Sequence, residues 1–215
     1  MPHLLIRSLA AVLAVLGVLA GAVGLWFMTQ LGTEGRAAFT AEPGSQTVVL
    51  EPSVLNRVDS DVVVEARSEG AVWMGLARPS DAESVMKDAK AARAVDVSVP
   101  SWELKTVEAG SGESAPKSYD LWQAQRTGTG SASITVDQAA APQTLVVVAQ
   151  DGQQLESVTM SVSDGGWFTR AVGLTITGLV LVALAGYLIL RERRGHGSEG
   201  ADADREDIAS KETDR

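Results

Sequence analysis

The chain has 215 residues, a net charge of −9 and no cysteine. Without cysteine there is no disulfide staple, thiolate metal site, thiol nucleophile or lipid-modified cysteine. The two histidines, His3 and His196, sit near opposite ends, so the middle of the chain offers none for a Ser-His-Asp triad, a His-ligated zinc site or a proton shuttle.

Residues 9–28 form the first feature, twenty positions without a charge. As a helix rising about 1.5 Å per residue, such a run spans roughly 30 Å, the thickness of a bilayer's hydrocarbon core. A cleavable signal peptide is the competing reading, since Ala20-Gly21-Ala22 offers a small-x-small site. The run continues, however, through Val23, Leu25, Trp26, Phe27 and Met28, where a cleaved signal would turn polar. This predicts an uncleaved anchor behind a short cytoplasmic segment, residues 1–8. Gly17 and Gly21 form a G-x-x-x-G pair, suited to close helix packing against the chain's own second span or another copy.

Residues 29–170 read as one β-rich domain. Period-2 alternation or short apolar runs predict strands at 48–50, 61–67, 71–77, 94–99, 119–126, 131–136, 145–149 and 156–162. Ser68-Glu69-Gly70, Gly128-Thr129-Gly130 and Asp151-Gly152 supply turn chemistry between them. Ser80 with Glu83 forms a candidate capping box for one short helix, whose apolar stripe is Ala82, Val85, Met86 and Ala89. Residues 108–117, rich in Gly, Ser and Glu, read as a flexible loop. Strands at this spacing predict an Ig-like β-sandwich, giving a membrane-anchored, mainly β fold with one short helix between two transmembrane helices.

The second charge-free run is 171–190, and Arg191, Arg193 and Arg194 follow it closely. Cations flank cytoplasmic ends of spans, and Arg7 precedes the first run, so both termini are expected in the cytoplasm and the central domain outside the plasma membrane. Trp26 and Phe27 close the first run and Trp167 and Phe168 open the second; all four then fall at the outer interface, the level amphipathic rings favour. Neither run holds an ionisable residue, which argues against an ion or proton path. Residues 191–215 are charged and poor in apolar groups beyond Gly195, so the tail is expected to be disordered.

The domain itself carries little chemistry. Residues 29–170 contain 19 acids against 11 cations, which makes nucleic acid a poor partner. Ser84 and Lys87 match the S-x-x-K spacing of penicillin-binding enzymes, but no K-T-G or S-D-N element accompanies them. Asp59 and Asp61 lack the further oxygen ligands that a calcium site needs. No catalytic residue, cofactor or metal is expected. Trp73, Trp102 and Trp122 are the candidates for a ligand surface, against the alternative that they are core packing.

The order of elements is similar to that of uncharacterised two-span membrane proteins of actinobacteria with a β-rich extracytoplasmic domain. The resemblance runs over residues 61–194. It is carried by 71–77 leading into Arg78-Pro79-Ser80-Asp81, by Tyr119-Asp120-Leu121-Trp122, and by 145–149 followed by Gln150-Asp151-Gly152. It implies an architecture and no activity. The leading functional expectation is a non-enzymatic membrane protein presenting a β-domain to a protein partner, with the bilayer itself and a second copy as further contacts. An envelope ligand or glycan sensor is the alternative, and a carboxylate-based hydrolase comes third.

Overall fold

The computed structural model describes residues 2–113 and 116–212, with side chains described between Arg7 and Arg191. In chain order the elements are α1 (Pro2–Leu31), β1 (Arg36–Ala41), β2 (Thr47–Leu50), α2 (Pro52–Leu55), β3 (Val62–Ala77), α3 (Pro79–Met86), β4 (Ala91–Ser98), β5 (Glu103–Ala109), β6 (Ala124–Val136), β7 (Thr144–Ala149), β8 (Leu155–Ser163) and α4 (Gly165–Glu212). The strands make one unit, Glu34–Gly165, and the two long helices make another.

The strands close into a ring, β3–β7–β2–β4–β5–β1–β8 and back to β3, with β6 as an eighth strand along β3. The domain is therefore a seven-strand barrel and not the Ig-like sandwich expected from strand spacing, which would keep two separate sheets. Two of its pairings, β1–β5 and β2–β4, are parallel.

Closure depends on β3. Over Val62–Arg67 it pairs with β6 and β8; over 72–77 it pairs with β6 and β7. The change of neighbour falls where the sequence predicted a turn. Ser68-Glu69-Gly70 and Gly128-Thr129-Gly130 do not end strands. They face each other inside one long ribbon, whose register passes from Arg67↔Ser131 directly to Ala71↔Thr129. Residues 68–70 thus oppose Gly130 alone, a bulge that bends both strands together. Ser68 is buried there and its hydroxyl donates to Gln154 O at 2.9 Å.

Other expectations shift for local reasons. Asp151 and Gly152 do form a tight turn, with φ of 59° and 75° and Gln153 N donating to Gln150 O at 3.1 Å. The strands it joins diverge, however, and each pairs with a different half of β3. α3 starts at Pro79 with Arg78 as its N-cap, so the capping box at Ser80 is not made; the Ser80 hydroxyl donates to Asp81 Oδ1 instead. Proline is preorganised for the first helical position, which places the start two residues earlier. The stretch 108–117 is more ordered than a flexible loop: Glu108 and Ala109 end β5, and Gly112 donates to Asp88 O at 2.8 Å while accepting from Lys90 N at 2.8 Å. Ser114 and Ala115 of that stretch lie outside the described residues. The predicted strand at 119–126 begins only at Ala124.

Two cores result, one on each face of the same strands. Val49, Trp73, Ala77, Ala91 and Val146 pack with Ala82 and Met86 of α3 and with Trp122. Their alternates, Val48, Leu50, Val72, Met74, Leu145 and Val147, are fully buried on the opposite face.

In the helical unit, α1 and α4 are each long and apolar enough to cross a membrane, over Arg7–Leu31 and Gly165–Arg191. They meet along small residues. A Cβ added at Gly17 would lie 2.7 Å from Gly178 O, and one at Gly178 would strike Gly21 N and lie 2.6 Å from Gly17 O. One at Gly24 would lie 2.9 Å from Ala171 O. Ala10 and Ala185 are likewise buried. Ala10, Gly17 and Gly24 are seven residues apart, as are Ala171, Gly178 and Ala185, a repeat that keeps one seam facing a partner. The antiparallel register places Gly17 on Gly178, Gly24 on Ala171 and, one step further, Ala10 on Ala185. Thr175 and Thr177 donate to Ala171 O and Gly173 O of their own helix. The α4 backbone stays helical to Glu212, past Gly195 where disorder was expected; Ala, Glu, Arg and Lys beyond Gly200 have the propensity for it.

This register is testable because the chain has no cysteine of its own. An Ala10→Cys/Ala185→Cys double variant is expected to crosslink within one chain under mild oxidation, whereas Leu16→Cys/Ala185→Cys is not. Adding Gly178→Leu should abolish the first crosslink, read by mobility on a denaturing gel.

Candidate functional site

The three tryptophans are not brought together. Trp73 and Trp122 form an edge-to-face pair with ring centroids 4.9 Å apart and planes at 79°. Both are more than nine-tenths buried, in the core between the barrel wall and α3. Their polar ends are satisfied: Trp73 Nε1 donates to Gln125 Oε1 at 3.1 Å and Trp122 Nε1 to Pro116 O at 2.9 Å. Gly75 makes room for them, since a Cβ there would strike Trp73 and lie 2.7 Å from Trp122 Cε3. Trp102 is elsewhere, in the β4–β5 connection, stacked on Phe39 at 5.4 Å with a positive φ of 55°. None of the three lines the depressions described below. They pack the domain.

Ser84 is not placed as a nucleophile. Its hydroxyl donates to Asp81 O at 2.6 Å, inside its own helix. Asp61 Oδ1 accepts from Gln138 N at 3.1 Å, tying the start of β3 to the turn after β6. Among the described residues no group of three or more His, Asp or Glu is arranged to hold a metal ion. Gly17 and Gly21 lie in the helix seam, against α4 of the same chain.

The cavity that stands out chemically lies at the barrel end where β1 finishes and β8 begins. It has a volume of about 620 Å³ and includes Ser45, Thr47, Lys90, Glu108, Glu113 and Gln154 in its lining. Three connections build it. The β1–β2 loop is tied down by Leu155 N donating to Ser45 O and Gln46 Nε2 to Ala149 O. The α3–β4 segment carries Lys90 and is held to the end of β5 through Gly112. The Asp151-Gly152 turn closes the third side. A neighbouring depression of about 640 Å³ shares Gly44, Gly152 and Gln154 and adds Glu42, Glu69 and Glu156. The mouth is therefore polar and predominantly acidic, with Lys90 the single cation in its lining.

A smaller cleft of about 220 Å³ runs beside α3, between Val49, Pro52, Met86 and Thr144. Arg93 crosses it, donating to Glu51 Oε1 at 3.0 Å and to Met86 O at 2.9 Å. Those bonds use the guanidinium to fasten α3 to the barrel wall.

Reading of the sequence singled out aromatic residues and missed the mouth. Ser45, Thr47, Lys90 and Glu108 share no motif, and it is closure of the ring that places them at one end.

No protein-family model and no curated protein sequence matches the chain. Among solved structures it is similar to hydroquinone 1,2-dioxygenase from Sphingomonas sp. TTNP3 with 4-hydroxybenzoate bound, at a TM-score of 0.27 and 12% identity, covering 60% of this chain and 59% of that one. A likeness at that level carries no argument about this chain.

The tryptophan packing makes Gly75 a sensitive position. Gly75→Ala is expected to destabilise the domain by about 1–3 kcal/mol through overpacking. The melting transition of the full chain in micelles should fall by several degrees, with a changed tryptophan emission maximum reporting the displaced rings.

Proposed function

We propose that this chain is a non-enzymatic integral membrane protein that holds a β-barrel outside the plasma membrane for binding, with both termini in the cytoplasm. The observation that carries the reading is the pairing of the barrel unit's first and last strands, which are continuous in sequence with the two apolar helices. β1 leaves α1 and β8 enters α4, and these strands are antiparallel neighbours paired from Arg36↔Ser163 onward. Gly35 and Asp164 are fastened just before that pair, with Asp164 N donating to Gly35 O at 3.1 Å. The two chain ends of the barrel unit thus lie side by side, and the polar mouth lies at the opposite ends of the same two strands.

Orientation is supported by charge: Arg7 ahead of the first apolar helix and Arg191, Arg193 and Arg194 at the end of the second favour the cytoplasmic side. A protein partner engaged by the barrel surface is the leading form of the function. Ligand sensing is the second, favoured by the mouth cavity and no longer by the tryptophans.

Single-cysteine variants test the topology in intact cells. Asp120→Cys, on an exposed stretch of the barrel unit, is expected to react with a membrane-impermeant maleimide. His3→Cys should react only after the membrane is opened. Equal reactivity of the two before lysis would sink the proposed orientation.

A further inference from the structure

Closure of the ring leaves one strand edge over. Seven strands have neighbours on both sides, whereas among the described residues β6 pairs with β3 alone. The edge is long, thirteen residues from Ala124 to Val136, and the consecutive residues Gln125, Arg126 and Thr127 are all exposed. Natural sheet edges are blunted by proline, by lysine or by a bulge. β6 holds no proline or lysine, and the extra residues of the bend belong to β3, so β6 runs through it without interruption.

The two ends of the strand say what covers that edge. Arg126, near the start, is in no ion pair among the described residues; its guanidinium donates to Gln125 O at 3.0 Å. Asp137, one residue past the end, is likewise in no ion pair among them, and its carboxylate accepts from Ala139 N at 2.8 Å. Asp61 adds a second acid at that end, where its Oδ1 accepts from Gln138 N. A strand with a cation at one end and acids at the other is complementary to itself run in the opposite direction. The bend falls near the middle of β6, at Gly130. A two-fold axis placed there, normal to the sheet, lays one bent edge along the other.

We infer that two copies of this chain pair through β6, antiparallel about a two-fold axis at Ser131. In this register Ser131 faces its own counterpart, Thr129 faces Ser133 of the partner subunit, and Thr127 faces Thr135 of the partner subunit. Hydroxyl pairs of this kind stabilise adjacent strands. Arg126 of each copy comes beside Asp137 of the partner subunit. Each copy has one unpaired edge and the two-fold axis uses both, so assembly closes at two. The inference rests on the protein-binding form of the function proposed above and names the partner.

The full chain in detergent micelles tests it, and the absence of native cysteine leaves introduced thiols as the only ones. Sedimentation equilibrium is expected to show monomer and dimer in exchange. Ser131→Cys should form a disulfide-linked dimer under mild oxidation, because facing residues of antiparallel strands have Cα atoms about 4.5–5.5 Å apart, within disulfide range. Thr127→Cys alone should stay uncrosslinked, and should crosslink when mixed with Thr135→Cys. Arg126→Asp should weaken the dimer about fivefold or more, and adding Asp137→Arg should restore it. Thr129→Lys/Ser133→Lys, at two exposed positions, should give monomer with a nearly unchanged melting temperature. A monomer at every concentration overturns the inference. So does a dimer that survives the paired lysines while Ser131→Cys stays uncrosslinked, since such a dimer packs through the helices. Because pairing in micelles does not depend on membrane orientation, a failure here is separable from a failure of the cysteine-labelling test.

Discussion

The bend at residues 68–70 governs the rest of the barrel unit. A strand has two hydrogen-bonding edges, and β3 serves three partners only because it changes neighbour partway along its length. Before the bend its free edge takes β8, and after it β7; β6 follows it through both halves. Without the extra residues opposite Gly130, β3 would run straight past one of these neighbours and the ring would stay open. Closure removes the edges of seven strands at once, which in an open sheet would be templates for unwanted pairing. It also explains why the Asp151-Gly152 turn joins strands that do not pair: β7 and β8 approach β3 from its two halves and meet only at their ends.

The second consequence of closure is that part of the wall must be buried on both faces. The interior is filled by Val, Leu and Met, and α3 with Trp122 covers the outside of β2, β3, β4 and β7. This accounts for the near-continuous apolar runs at 48–50, 71–77 and 145–149, which an alternating, half-exposed strand would not carry. Gly75 is the point where the outer core is tightest, because two indole rings occupy the space above it. The filled interior leaves the end of the barrel, with its loops, as the place where chemistry varies.

Much of this was legible in the residues, and the failures have physical causes. Strand positions other than β1 and β5 followed from period-2 alternation or short apolar runs, and the apolar stripe of α3 was correct although its cap was not. Ser68-Glu69-Gly70 and Gly128-Thr129-Gly130 misled because glycine serves a bulge inside a strand as readily as a turn between strands. Local pattern cannot separate the two, since the difference is that the segments face each other across 60 residues of chain. β1 went unread because Arg36-Ala37-Ala38-Phe39 offers little contrast between its faces. Thr47 and Lys90 were invisible as site residues for the same reason as the bend. Their proximity is a product of topology, whereas a tryptophan draws notice wherever it sits.

The helical unit shows the opposite case, in which local spacing carried most of the information. Small residues at intervals of seven on both helices define a seam, and their pairing in antiparallel register lets the backbones approach closely without side chains between them. In lipid, where apolar side chains gain nothing by leaving one apolar environment for another, such backbone contact is a principal source of helix association. The seam consumes Gly17 and Gly178, so a second copy would have to pack on the other faces, where Val12, Val15, Leu19 and Leu179 are exposed. Within one chain the small residues fasten the two helices, which lead into adjacent strands of the barrel unit.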